Sequence, residues 1–194
     1  IIVENNTLEI IKFMNKPIFI SASPNIQQDD FKIASRLLLN PKKWTKGSEI
    51  ELFEENLSSY LGKADVFTVD SGRSAFYLLL KAYGVDKGDE VILPSFSCLV
   101  IANPVKWVKA QPVYVDIDPL TLNYDFEDLQ KKITPRTKVI LAQHTFGRPL
   151  DLDRLKSIAG ENIKLVEDCA HSLGGSYKNR KLGTITDSAI LTFG

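Results

Sequence analysis

Cysteine, histidine and methionine are scarce in this chain of 194 residues, which contains two cysteines, two histidines and one methionine. Cys98 and Cys169 lack the paired spacing of a zinc site, and two cysteines cannot supply the disulfide framework of a small secreted domain. We therefore expect no metal site, and we expect a protein of a reducing compartment, the cytoplasm.

A charge excess is also missing, because 24 Lys and Arg residues balance 24 Asp and Glu residues. Without a basic excess there is no electrostatic footprint for nucleic acid or an anionic membrane. No apolar run approaches the length of a membrane span, and residues 1–13 lack the basic start and cleavage site of a secretory signal. We expect a soluble protein that binds neither nucleic acid nor membranes.

What the chain does contain is a regular alternation of strand-like and helix-like segments. Apolar runs predict strands at 66–69, 90–93, 112–115, 138–142, 163–166 and 188–193, with helices between them, including one at 98–109. Such alternation predicts an α/β fold with a mainly parallel sheet and right-handed crossovers. Helical spacing at 29–61 predicts an N-terminal helical segment over residues 1–61, which leaves one domain at 62–194.

Ligands of such sheets bind beyond the carboxyl ends of the strands. The turn at 71–75 places a glycine and small hydroxyl residues at the start of a helix, which suits either a phosphate or a simple N-cap. Phe96, after the next strand, could pack against a ligand ring or lie in the core. His144, after another strand, could be a site residue or a hydrogen-bonded histidine at the strand end, the commoner case.

Glu167 and Asp168 form the most informative motif, an acidic pair at the end of a predicted buried strand. Buried carboxylates are costly unless a cation or hydrogen-bond donors meet them. A fixed carboxylate that keeps a cofactor's ring nitrogen protonated is one explanation. A metal site or a cap on the following turn are the others.

Six segments occur in the order typical of one enzyme family. They are SGRSA at 71–75, GDEVILPS at 88–95, PVYVDID at 112–118, TPRTK at 134–138, HTFG at 144–147 and EDCAH at 167–171. Together they resemble the DegT/DnrJ/StrS-type sugar aminotransferases, which depend on pyridoxal 5'-phosphate (PLP). The resemblance runs from about residue 44 to residue 194 and implies the three-layer α/β/α large domain of this fold, in truncated form.

The resemblance also assigns cofactor contacts. It places the backbone of Gly72, Arg73 and Ser74 at the phosphate, with Thr192 as a second phosphate contact. Asp168 would pair with the pyridinium nitrogen.

Two further positions depart from the usual family pattern. His171 stands where many members have glutamine near the ring hydroxyl, and its alternative is a structural histidine. Cys98 stands where the family usually has the aromatic residue that stacks on the cofactor.

The implied function is amino transfer from an amino acid, glutamate by expectation, to a nucleotide-linked keto sugar, in a full-length homodimer. The catalytic lysine is expected just after Gly194, so no catalytic residue is assigned within the chain, and we expect these 194 residues alone not to transfer amino groups. A dehydratase-like relative and a non-catalytic cofactor-binding or regulatory module stay open. An unrelated nucleotide-binding oxidoreductase is disfavoured, because no Gly-x-Gly-x-x-Gly turn follows the first predicted strand.

Overall fold

The computed structural model describes residues 28–41, 47–62 and 64–193. The part of the predicted N-terminal segment before Gln28, the region around residue 44 and Gly194 lie outside the described residues. Two compact units can be distinguished in the described part of the chain, and each is described by itself. The first contains helix α1 (Gln28–Leu38), and the second runs from Ser48 to Thr192.

A parallel sheet organises the second unit and confirms the α/β prediction. Within the described residues it has five strands: β1 (Glu90–Pro94), β2 (Gln111–Val115), β3 (Thr137–Gln143), β4 (Lys164–Asp168) and β7 (Ser188–Ile190). Their order is β2-β1-β3-β4-β7, and every neighbouring pair is parallel. The antiparallel hairpin of β5 (Ser176–Tyr177) and β6 (Arg180–Lys181) stands outside this sheet.

Helices connect the strands and begin with side-chain caps at several positions. The helices of the second unit are α2 (Glu49–Tyr60), α3 (Gly72–Ala82), α4 (Ala102–Trp107), α5 (Phe126–Lys132) and α6 (Leu152–Ala159). Asp125 and Asp151 accept hydrogen bonds from backbone N–H groups in the first turns of α5 and α6. Such a cap satisfies donors that have no partner within the helix. No helix in the described ranges has the length and apolarity to cross a membrane.

The sheet separates two apolar cores, because successive strand residues point to opposite faces. Ile92 and Ile140 pack on the face covered by α5 and α6. Val91 and Leu141 pack on the face covered by α3 and α4. This arrangement confirms the predicted α/β/α layers. The predicted domain division at residue 62 stays a prediction.

Three predicted elements differ from the structure. Residues 66–69 form no strand: Phe67 is 85% exposed, and the Thr68 N–H donates to Glu54 Oε1 at 2.7 Å instead of to a neighbouring strand. A β-favouring composition does not make a strand without a paired neighbour. The helix predicted at 98–109 is a 3₁₀ turn, Leu99–Ile101, followed by the shorter α4. The last strand ends at Ile190, before the predicted residue 193.

The acidic residue Glu167 of β4 lies in the core, where its carboxylate is saturated with hydrogen bonds. His144, at the end of β3, presents Nε2 to Glu167 Oε2 at 3.2 Å, and both side chains are fully buried. The Leu150 N–H donates to His144 Nδ1 at 3.2 Å, so the neutral imidazole carries its proton on Nε2 and donates it to Glu167. Three backbone amides between the hairpin and β7 also donate to this carboxylate, those of Gly183, Ile185 and Thr186.

These donors decide the ionisation of Glu167. Burial alone would raise the pKa of this carboxyl, but the hydrogen bonds from His144 and the three backbone amides outweigh it and hold the pKa below the ordinary value of 4.5. A carboxyl whose folded pKa is depressed stabilises the fold above its unfolded pKa, and this contribution is lost as the pH falls through the folded pKa.

We predict that Glu167→Gln lowers the free energy of unfolding by about 3 kcal/mol at neutral pH, because the amide nitrogen would face N–H donors instead of accepting from them. The deficit relative to wild type should be constant above about pH 4.5 and shrink at lower pH. Urea unfolding at several pH values measures it, with the exposed Glu161→Gln as the matched control. Equal stability of wild type and Glu167→Gln at pH 7 would contradict this account.

Candidate active site

A cavity of about 200 Å³ lies where the carboxyl ends of β1, β3 and β4 meet. This is the edge of a parallel sheet at which ligands bind. The loop after each of these three strands contributes to its wall. The lining residues are Phe96, Ser97, Cys98, Gln143, His144, Thr145, Phe146, Asp168, Ala170 and His171.

Asp168 is the acidic side chain of this cavity. The strand alternation that turns Glu167 into the core turns its neighbour Asp168 toward the site. Among the described residues, its Oδ1 accepts one hydrogen bond, from the Ala170 N–H at 3.0 Å. Burial raises the pKa of Asp168 above its ordinary value, although the Ala170 N–H and the nearby His171 and His144 oppose the shift. A carboxylate with so few donors is suited to a cationic ligand group.

A second polar cluster lies at the N-terminus of α3. Ser71 caps this helix, and its hydroxyl oxygen accepts from the Ser74 N–H at 3.2 Å. Gly72 packs so closely against Thr192 that a Cβ on the glycine would lie 2.9 Å from the threonine Cγ2. Small hydroxyl side chains, a helix start and a glycine without a Cβ form a cradle that fits a phosphate.

The two clusters are linked through the sheet. Asp168 in β4 pairs with Ile190 in β7, and Thr192 follows this strand. A Cβ on Gly72 would also lie 3.8 Å from the Ile190 Cγ2. The carboxylate and the hydroxyl cradle therefore lie at the ends of two hydrogen-bonded strands.

Gln143 fixes two of the loops that line the cavity. Its Oε1 accepts from the Ser97 hydroxyl, and its Nε2 donates to the Phe96 carbonyl at 3.1 Å and to the Thr145 hydroxyl at 2.9 Å. One side chain at the end of β3 thus connects the loop after β1 to the loop after β3. All its polar atoms are engaged, so its role is to hold these loops.

The buried residues His144, Glu167 and Cys169 bring their ligand atoms within 4.8 Å of one another, a spacing that could hold a metal ion. The hydrogen bonds already described use both ring nitrogens of His144 and both oxygens of Glu167. Burial raises the pKa of the Cys169 thiol to about 12, so the thiolate that a metal needs is disfavoured. This cluster is explained as a buried hydrogen-bonded network.

The seven predicted cofactor residues fall into two groups in the structure. The cavity group is Cys98, Asp168 and His171. The helix group is Gly72, Arg73, Ser74 and Thr192. The side chain of Arg73 is exposed, so only its backbone lies at the helix start. The cofactor roles themselves stay predictions.

The structure also decides between two pairs of alternatives and adds residues to the predicted site. His144 is the hydrogen-bonded strand-end histidine. Phe96 is 45% exposed and lines the cavity, so it is not a core residue. Gln143, Thr145 and Phe146 also line the cavity and were missing from the predicted site. Their signals were a position at or directly after the end of a strand and, for Thr145 and Phe146, the HTFG segment at 144–147.

Comparisons with known proteins agree with this geometry. The sequence profile of the DegT/DnrJ/EryC1/StrS aminotransferase family matches residues 25–194. The chain is 38% identical over 148 residues to GDP-perosamine synthase of Caulobacter vibrioides, an alignment that covers 76% of this chain and 40% of that protein. It is 34% identical over 167 residues to UDP-2-acetamido-2-deoxy-3-oxo-D-glucuronate aminotransferase of Pseudomonas aeruginosa, covering 86% of this chain and 46% of that protein.

A solved structure matches the fold as well. The GDP-4-keto-6-deoxy-D-mannose-3-dehydratase of Escherichia coli with bound hydrated PLP superposes with a TM-score of 0.76 and 30% identity, covering 85% of this chain and 44% of that one. The chain thus spans less than half the length of the curated relatives and the solved structure that it matches.

The close contact of Gly72 with Thr192 gives a packing prediction. We expect Gly72→Ala to lower the free energy of unfolding by about 1–3 kcal/mol, because the added methyl group overlaps the threonine Cγ2. Thr192→Ser removes that methyl group and keeps the hydroxyl, so the double variant should recover most of the loss. Thermal unfolding of the four proteins measures the coupling, and additive effects would contradict the contact.

The two thiols should differ in reactivity. Cys98 is exposed in the cavity wall, whereas Cys169 is buried with a pKa raised to about 12. We expect iodoacetamide at pH 7.5 to add one label to the native protein, at Cys98, and a second only after unfolding. Mass spectrometry of peptides locates the label, with Cys98→Ser as the control. Rapid labelling of Cys169 in the native protein would contradict the described core.

Proposed function

Because the chain belongs to the DegT/DnrJ/EryC1/StrS aminotransferase family, whose solved relatives bind PLP, we propose that it forms the PLP-binding part of a sugar aminotransferase. The reaction proposed for the whole protein is transfer of an amino group from an amino acid, glutamate by expectation, to a nucleotide-linked keto sugar. Two relatives support a sugar substrate, since their names describe a perosamine synthase and a keto-sugar aminotransferase.

The observation that carries this proposal is the environment of the Asp168 carboxyl. This carboxyl lies in the cavity wall, the described part of the chain supplies it with one hydrogen-bond donor, and burial raises its pKa. A protonated pyridine nitrogen would supply the missing positive charge and donor. When bound, PLP supplies an electron sink for the carbon next to the transferred amino group, and a fixed carboxylate keeps that sink charged.

The α3 cradle supports the other end of the same ligand. The backbone N–H groups of Gly72 and Arg73 would bind the phosphate, together with the hydroxyls of Ser74 and Thr192. The Ser74 N–H itself already donates to the Ser71 cap. Gly72 permits the close approach because it has no Cβ. His171, in the cavity wall, would donate a hydrogen bond to the ring hydroxyl.

The remaining parts of the proposal concern the whole protein. The lysine that would carry PLP and move the proton is expected after Gly194, from the resemblance. We further propose a cytoplasmic homodimer, with residues 62–194 as the PLP-binding domain.

A dehydratase-like function is the second candidate. The observation that favours it is the structural match to the Escherichia coli GDP-4-keto-6-deoxy-D-mannose-3-dehydratase, whose identity of 30% is similar to the 29% of the aminotransferase from Psychrobacter cryohalolentis. The two candidates differ in their product, because amino transfer leaves an amino group on the sugar, whereas dehydration removes water and leaves no amino group. Mass spectrometry of the product from a nucleotide-linked keto sugar, with glutamate present, distinguishes an added amino group from lost water.

The binding role of Asp168 can be tested without catalysis. We expect Asp168→Asn to weaken PLP binding about tenfold to a hundredfold, the value of one charge-assisted hydrogen bond. Visible absorbance titration measures the affinity, and protection of Cys98 from iodoacetamide gives an independent readout. Asp65→Asn, on an exposed aspartate outside the cavity, is the matched control. Unchanged affinity in Asp168→Asn would refute the ring-nitrogen role.

A further inference from the structure

Three aromatic rings form a continuous wall on one side of the cavity. The ring of Phe146 lies parallel to that of His171, with an interplanar angle of 1° and a centroid distance of 6.0 Å. The ring of Phe96 meets Phe146 edge-on at 6.1 Å. All three residues line the cavity. Phe146 is the more exposed of the two phenylalanines, with 69% of its surface exposed.

The backbone of Phe146 is held in an unfavourable conformation. Its φ of 52° and ψ of 34° lie in the left-handed region, which bulky residues rarely adopt. Gly147 follows with a φ of 77°, and a Cβ there would lie 3.1 Å from the His171 carbonyl oxygen. The turn is therefore packed against the loop after β4, and this packing fixes where the Phe146 ring stands.

Burial does not compensate for this strain. A side chain that is 69% exposed gains little from the hydrophobic effect, so the core does not explain why the turn holds a phenylalanine here. Strained residues of this kind concentrate at ligand sites. An exposed ring held at the edge of a cavity is available to the flat face of a ligand.

Cys98 gives the cavity little of such a surface. It lines the same cavity, it is exposed, and its side chain is small. Sulfur can contact a ring, but over a smaller area than a phenyl group. The aromatic surface of the described cavity thus lies with Phe96, Phe146 and His171.

We propose that Phe146 contacts the planar ring of the bound cofactor and supplies the aromatic surface that Cys98 does not. This proposal rests on the proposed function, because it assumes that PLP occupies the cavity. The loop after β3 would then bind the cofactor, in addition to its hydrogen-bonded connection to the loop after β1. Phe96 supports the ring of Phe146 from the edge.

Binding of PLP to the wild type and to variants of Phe146 tests this assignment. We expect Phe146→Ala to weaken PLP binding about fivefold, and Phe146→Tyr to bind as wild type does, because it keeps the ring. Trp107→Ala is the matched control: Trp107 is 52% exposed and meets Tyr77 edge-on at 6.1 Å, but it ends α4, which leads into the opposite edge of the sheet. Absorbance titration gives the affinities, and far-UV circular dichroism checks folding.

A rescue variant makes the test specific. Cys98→Phe in the Phe146→Ala background should restore the affinity, because it returns an aromatic surface to the same cavity. Equal affinity of Phe146→Ala and wild type, or no recovery in the double variant, would overturn the assignment. Failure of the wild type itself to bind PLP would instead overturn the proposed function, and this inference with it.

Discussion

The arrangement of the sheet ends depends on one buried carboxylate, that of Glu167. It accepts hydrogen bonds from His144 at the end of β3 and from backbone amides of the segment that leads into β7, while its own backbone belongs to β4. A buried charge in this position would cost too much free energy without its hydrogen-bond donors. The donors, in turn, would have no acceptor without the carboxylate. The relative positions of three strand ends therefore follow from satisfying a single group.

The pKa values of two adjacent acidic residues are shifted in opposite directions, because successive side chains of a strand point to opposite faces of the sheet. Glu167 faces the core, where many donors lower its pKa, and Asp168 faces the cavity, where burial raises its pKa. Both carboxylate oxygens of Glu167 accept hydrogen bonds from the protein, whereas the described residues give the Asp168 carboxylate one donor, a backbone N–H. The hydrogen bonds of Glu167 hold the backbone of β4, from which the Asp168 side chain extends. A binding site requires such preorganisation.

Sequence reasoning recovered the layers and most strands because period and alternation are local signals, as in β1 and β3. It failed at 66–69, where the composition favours a strand but the Thr68 N–H bonds to Glu54. It grouped Glu167 and Asp168 as one acidic pair and gave a cofactor role to Asp168 alone, but it could not place Glu167 in the core, since the donors to Glu167 come from residues far along the chain. It omitted Phe146 because a left-handed turn and a stack on His171 leave no periodic trace.

The two ends of the proposed cofactor site are coupled through β7. Its residues pair with β4 beside Asp168, and its extension carries Thr192 against Gly72 at the start of α3. The loop that enters β7 is the one whose amides donate to Glu167. The hydrogen bonds that satisfy the buried carboxylate therefore also hold the segment that enters β7, the strand that Thr192 follows.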